Sequence, residues 1–328
     1  MSIKILSAVR RSLTSVSLVT ALLTVACCLY LFFAGILAAY PGLQQDEILF
    51  AIPLYSVGAA EYDWTIGGQE IPVMLMPYLG ALKTWLYAPL LEFAPASALS
   101  LRGPAILSGL VLIVVIYRLL AHCLGRRTAL IAAFLIATDA TFVLTTAMDW
   151  GPVALQRLLF TAAAALLVAF STTKRTPYLA GAGLCCGLAL WDKAVFFWLL
   201  AGSGLAVSAV YWRRIKPPLE VGRVAIFGGA LCLGAAPLLI YNAEYPGVTV
   251  TSTAALSLDE IDSNKVSMLR RTLDGSGLFG YLVFDDWKDG EDSRRTFSKR
   301  SASPFAGSQA RSSTTPSCTF SSSLSRLV

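Results

Sequence analysis

Apolar residues in this chain gather into long runs over roughly 16–40, 101–122, 128–147, 152–171, 178–191, 194–212 and 224–242, parted by short polar or basic turns. The run from Val16 to Tyr40 carries no charge, and its 25 residues in a helix cover about 37 Å, enough to cross a bilayer. Lys4, Arg10 and Arg11 precede it and small residues stand near Ala38-Ala39, which also fits a cleavable leader. Its apolar part is nearly twice the length a leader uses and further spans follow, so the reading is an uncleaved anchor. The pattern predicts an all-α, polytopic membrane helix bundle.

One apolar stretch, 71–93, is interrupted by Pro72, Pro77, Lys83 and Pro89. Charge decides whether it crosses. If it lies flat as an interfacial helix, the inner segments hold Lys4, Arg10, Arg11, Arg118, Arg126, Arg127, Lys174, Arg175, Arg213, Arg214, Lys216 and Arg223 against the single acid Glu220. If it crossed, every later basic cluster would change sides and the bias would vanish. The positive-inside rule therefore selects about seven spans with the N-terminus in the cytoplasm. The first outer loop, about 40–100, then carries Asp46, Glu47, Glu61, Asp63, Glu70 and Glu92 with Lys83 its only base, and chemistry belongs on that outer face.

Composition agrees with the pattern. Hydrophobic residues make up 56% of the 328 and charged ones 14%, where a soluble domain carries about a quarter. The formal charge of +6 comes from clusters between apolar runs, so it marks a membrane side and not a nucleic-acid surface. Six of the seven cysteines lie in or beside apolar runs without metal-ligand spacing and read as packing residues, and His122 closes an apolar run in a structural position.

The domain plan reads as a cytoplasmic N-terminus (1–15), a transmembrane domain (16–245), an acidic outer segment (246–292) and a tail (293–328). Nine acids fall from Asp259 to Asp292 and none after it. The serine-rich tail has too little apolar surface to fold and is expected to be disordered, its abrupt change of composition fitting a truncated or altered reading frame.

Several charged positions are candidates for chemistry. Asp46-Glu47 follows the Pro41-Gly42 turn. Paired carboxylates at a membrane edge suit a general base or a divalent metal, while an ordinary solvated loop or helix start would also hold them. Lys83, near Trp85 and Tyr87, can hold a lipid phosphate at headgroup depth or simply snorkel to water. Asp149 stands before Gly151-Pro152 and can cap the helix that follows. Asp139 lies inside an apolar run and needs a partner or a wet cavity, and Asp192-Lys193 after Trp191 reads as an internal ion pair at an aromatic belt.

In order along the chain these passages resemble the N-terminal half of a GT-C fold glycosyltransferase of family 39, the group of protein O-mannosyltransferases and the lipid A aminoarabinose transferase. The resemblance runs over roughly 15–245. It is carried by Asp46-Glu47, by Tyr78 to Pro89, by Leu101-Arg102-Gly103-Pro104 leading to Gly125-Arg126-Arg127, by Ala137-Thr138-Asp139 to Asp149-Trp150-Gly151-Pro152, and by Gly187-Leu188-Ala189-Leu190-Trp191-Asp192-Lys193. Members usually carry further spans and a longer C-terminal part.

The resemblance implies an inverting transfer of sugar from a polyprenyl-phosphate donor to a lipid, glycan or protein acceptor. It makes Asp46 the base with Glu47 in support, and Lys83 the partner of the departing phosphate. Asp149, Lys193 and Asp139 become substrate-binding candidates. It implies membrane lipid and no nucleic acid as partners, leaves a divalent metal open, and places the protein in a bacterial inner membrane with its active face outside. A transporter or flippase of lipid-linked sugar is the rival, as is an inactive fragment. Transporters favour repeats and mid-membrane charges, whereas the acids here lie mostly in outer turns.

Overall fold

The computed structural model describes residues 2–39, 42–56, 58–95, 97–151, 153–211 and 221–253, together with 267, 269–271 and 273. The acidic segment after about 254 and the serine-rich tail fall almost wholly outside the described residues, as do Arg213, Arg214, Lys216 and Glu220. The helices and strands that follow all lie in the first of two compact units, Met1–Ala255.

The chain opens with α1 (Ser2–Ala38) and the short α2 (Gln45–Ala51). A small antiparallel sheet follows, β1 (Tyr62–Ile66), β2 (Gln69–Met76) and β3 (Leu79–Gly80), and leads into α3 (Leu82–Phe93). The bundle continues with α4 (Ala98–Cys123), α5 (Arg126–Thr138), α6 (Ala140–Ala147), α7 (Val153–Thr173), α8 (Thr176–Asp192), α9 (Phe196–Tyr211), α10 (Val221–Gly234), α11 (Ala236–Glu244) and α12 (Val248–Thr253).

Each predicted apolar run is a helix or a bent helix pair, as a polytopic membrane helix bundle requires. Among the described residues, three helices are long and apolar enough to cross a membrane alone: α4, α7 and the Leu18–Ala38 part of α1. Two pairs reach that length only together, α5 with α6 across a 58° bend and α10 with α11 across 69°. That makes up to five. The helices α8, of 17 residues, and α9, of 16, are shorter.

The stretch 71–93, expected as one interfacial helix, is corrected. Its first part is strand. Ile66 pairs with Gln69 across Gly67-Gly68, whose φ values of 62° and 81° suit the two-residue turn that matches strand twist. Pro72, unable to donate to a ladder, falls in strand β2 opposite Asp63, and only Leu82 to Phe93 is helical.

Close packing orders the bundle. Between α1 and α4, a Cβ at Gly109 would overlap the hydroxyl of Tyr30, which itself donates to the Ile106 carbonyl at 3.1 Å. Between α8 and α10, a Cβ at Gly187 would overlap the Leu231 carbonyl, the near approach of backbones that small residues permit within membranes.

The sheet is fixed to one end of this bundle. Trp191 Nε1 donates to the Val73 carbonyl at 3.0 Å, the Ala194 amide donates to the Tyr78 carbonyl at 2.9 Å, and Leu79 bridges Lys193. Tyr62 donates its hydroxyl to Glu244 Oε1 at 2.8 Å. The end of α1, the start of α4, the α6–α7 turn and the ends of α8 and α11 therefore meet the long first loop, and 71–93 stays at that end without crossing.

Candidate active site

Lys83 sits in the first turn of α3 and is 3% exposed, so it does not snorkel. Its ammonium pairs with Asp149 Oδ1 at 2.6 Å, donates to the Gly151 carbonyl at 3.0 Å and lies 4.0 Å from the centre of the Phe50 ring. The backbone that presents it is held by Thr84, whose hydroxyl donates to the Phe50 carbonyl at 2.8 Å.

Asp149 closes the turn after α6 with φ 46°, in the left-handed region that side chains other than glycine seldom enter. Such a conformation persists where surrounding contacts over-determine it. Here they are the Lys83 ammonium and the hydroxyl of Tyr87, which donates to Asp149 Oδ2 at 2.6 Å. Burial pushes the Asp149 carboxyl above its ordinary value, an effect that Lys83 and Tyr87 oppose. The Tyr87 phenol is raised well above 10.0, by burial first and then by the Asp149 charge.

Glu47, in the first turn of α2, is fully buried. Arg102 of α4 meets it through Nε at 3.0 Å and Nη2 at 2.9 Å from Oε1, and its other donors reach the Ala38 carbonyl at 2.8 Å and the Gly42 carbonyl at 3.0 Å. One guanidinium thus fastens the end of α1, the turn after it and α2 to the start of α4. Burial pushes the Glu47 carboxyl up, against the pull of Arg102. Its Oε2 has no hydrogen-bond partner among the described residues.

Asp46 is different. It is half-buried, its side chain makes no hydrogen bond or ion pair among the described residues, and a Cβ built on Gly151 would stand 3.6 Å from its Oδ2. An uncommitted carboxylate therefore lies beside the residue whose carbonyl receives Lys83. Between α3, α4 and α7 a cavity of about 30 Å³, lined among others by Lys83, Tyr87, Ser108 and Asp149, opens next to the ion pair, room for about one water. A larger apolar groove of about 580 Å³ along α5 shares no residue with it.

Of the six predicted site residues, the structure brings together Asp46, Glu47, Lys83 and Asp149. Lys193 is half-buried beside Asp192 at the edge of this group. Asp139 is not part of it. It is exposed and caps α6 at the helix break, accepting from the Phe142 amide at 2.6 Å. The expected Asp192–Lys193 ion pair is absent among the described residues: Asp192 is fully buried and both its oxygens lack hydrogen-bond partners.

Arg102 and Tyr87, noted in the sequence without a site role, and Arg157, whose Nη1 donates to Thr145 at 3.2 Å, also stand near these charges. Tyr87 had a signal, since it follows Lys83 by one helical turn and shares its face. No three His, Cys, Asp or Glu side chains converge as a metal-binding set among the described residues.

No curated protein sequence matches the chain. The oligosaccharyltransferase of Archaeoglobus fulgidus, solved in its apo form, aligns with a TM-score of 0.40 at 17% identity, over 90% of this chain and 40% of that one. The chain thus spans well under half the length of that structure. The family model described as dolichyl-phosphate-mannose-protein mannosyltransferase matches residues 77–241, a range that takes in Lys83, Tyr87, Arg102, Asp149 and Asp192 and begins after Asp46-Glu47. The chain belongs to that family of glycosyltransferases, and its long apolar helices form a bundle of the membrane type.

Proposed function

We propose that this protein transfers a sugar from a polyprenyl-phosphate donor to an acceptor hydroxyl, with the charged end of the bundle at the outer face of a bacterial inner membrane. The observation that carries the reading is the uncommitted Asp46 carboxylate beside the buried Lys83–Asp149 pair. A base and a phosphate partner stand together at a membrane edge. The family's own description joins a polyprenyl-phosphate sugar to a protein acceptor. Arg126, Arg127, Lys174 and Arg175, at the helix ends away from this one, support the outward orientation.

In this reading Asp46 removes the acceptor's proton as its oxygen attacks the anomeric carbon from the face opposite the phosphate. The bond from that carbon to the phosphate oxygen breaks, and polyprenyl phosphate departs with the electron pair. Lys83, drawn from Asp149 toward the departing oxygens, meets the developing charge where water is excluded and electrostatic help is large. Tyr87 steadies Asp149 when its cation shifts. Glu47, held by Arg102, supports Asp46 by fixing α2, and Lys193 is a substrate contact at the rim. The charges cluster at one end of the bundle, which favours this enzyme over a transporter with mid-membrane charges.

The test is transfer of labelled sugar from polyprenyl phosphate to glycan, lipid and peptide acceptors by the full chain in lipid nanodiscs. Release of polyprenyl phosphate with each class of acceptor supports the reading. Donor left intact with all of them overturns it.

A further inference from the structure

Asp192 is the last residue of α8, completely shielded from solvent, with neither carboxylate oxygen hydrogen-bonded among the described residues. Its burial follows from the docking of the first loop. Trp191 before it is tied to Val73, and Lys193 and Ala194 after it are tied to Leu79 and Tyr78. A Cβ at Gly80 would overlap the Trp191 carbonyl, so the loop backbone seats directly on this helix end.

The titratable neighbours in electrostatic reach are Lys83 and Tyr87 from α3, Asp149 from the α6–α7 turn and the adjoining Lys193. Tyr241 of α11 packs with Trp191 on the other side. Among the described buried groups at this end, the carboxyls of Glu47, Asp149 and Asp192 face two buried cations, Lys83 and Arg102. Glu47 has Arg102 and Asp149 has Lys83. An unpaired charge at the third position would be heavily penalised by its loss of water, and proteins avoid that by neutralising the group.

We propose that Asp192 holds a proton and is a positioning residue for Lys83, keeping the ammonium's field available to a phosphate monoester instead of to a third carboxylate. This rests on the polyprenyl-phosphate reading above. While Asp192 is neutral, the approaching phosphate meets Lys83 without a competing carboxylate charge behind it. Once Asp192 ionises, it competes for Lys83 and repels the phosphate.

The sign of the pH effect makes the idea testable. A phosphate monoester gains its second charge at about pH 6, so attraction to a fixed cation strengthens as pH rises. Binding of polyprenyl phosphate to the full chain in nanodiscs, measured from about pH 5 to 9, where buried carboxyls titrate, should instead weaken about tenfold, an ordinary size for coupled sites. In Asp192→Asn, and in the smaller Asp192→Ser if the first variant fails to fold, that weakening should disappear. A variant that keeps the wild-type slope overturns the proposal.

If the wild type binds no polyprenyl phosphate at any pH, the donor reading fails and the proton is judged alone. Infrared spectra of the ligand-free protein should show a protonated-carboxyl stretch that is lost in Asp192→Asn. Identical spectra overturn the assignment.

Discussion

Arg102 and Glu47 stand 55 residues apart in the chain and meet in the interior, Nε to Oε1 at 3.0 Å, with neither side chain exposed. Removing one member of such a pair leaves the other as an uncompensated buried charge. Arg102→Met should therefore destabilise the bundle by about 3–5 kcal/mol, and Arg102→Met with Glu47→Leu should recover much of it. Thermal unfolding in detergent, read for both variants beside the wild type, checks this. Equal losses in the single and double variants would assign Arg102 its value through the Ala38 and Gly42 carbonyls.

Asp46 carries no comparable structural duty. Asp46→Asn keeps the shape and loses the proton acceptor, so sugar transfer should fall about 10²-fold or more while the unfolding temperature stays unchanged. Transfer and melting measured on one preparation separate the two effects. Near-normal transfer would move the role of base to another carboxylate.

Lys83→Met keeps most of the apolar stem and deletes the charge. Donor binding should weaken markedly. Asp149, left without its ion pair, should lower stability as well, and Lys83→Met with Asp149→Asn should restore the melting temperature without restoring donor binding. Recovery of both would show that Lys83 serves the fold alone.

Backbone geometry gives a contrast at Asp149. Asparagine enters the left-handed region more readily than alanine, so Asp149→Asn should melt above Asp149→Ala by about 1 kcal/mol or more. Equal melting would show that the φ of 46° costs the turn nothing.

The Tyr87 phenol is raised well above 10.0 by burial and by the Asp149 charge. A group raised in the fold contributes stability that is whole below its unfolded value and lost as pH climbs through its folded value. An alkaline titration followed by ultraviolet absorbance should thus show no phenolate difference between wild type and Tyr87→Phe until well past pH 10. A difference that develops at pH 10 would mean the hydroxyl is open to water.

The bundle was legible because a run such as Ala98–Cys123 has one chemical reading whatever surrounds it. The hairpin was harder. Pro72 and Pro77 read as breaks in a helix, and the Gly67-Gly68 signal went unused although a two-glycine turn between paired segments is a hairpin's mark. At the site, Asp46, Lys83 and Asp149 stood out as charges among apolar residues, so their types alone drew notice. What made them one site did not. Asp192 looked paired with its neighbour Lys193, and only the docking of a distant loop buries it without that partner. Asp139 drew notice for the same reason as Asp149, yet its carboxylate completes a helix end.

The hydrogen bond from Trp191 to Val73 joins residues 118 positions apart. A chain emerging from a ribosome exposes its first loop long before α8 exists, so the hairpin has nothing to rest on while several helices are still being inserted. Docking of the hairpin is consequently a late event in biogenesis, timed by the arrival of the Trp191 end of α8, and a nascent chain halted before that point would have the partners of Lys83 and Glu47 but no seat for the sheet that buries Asp192.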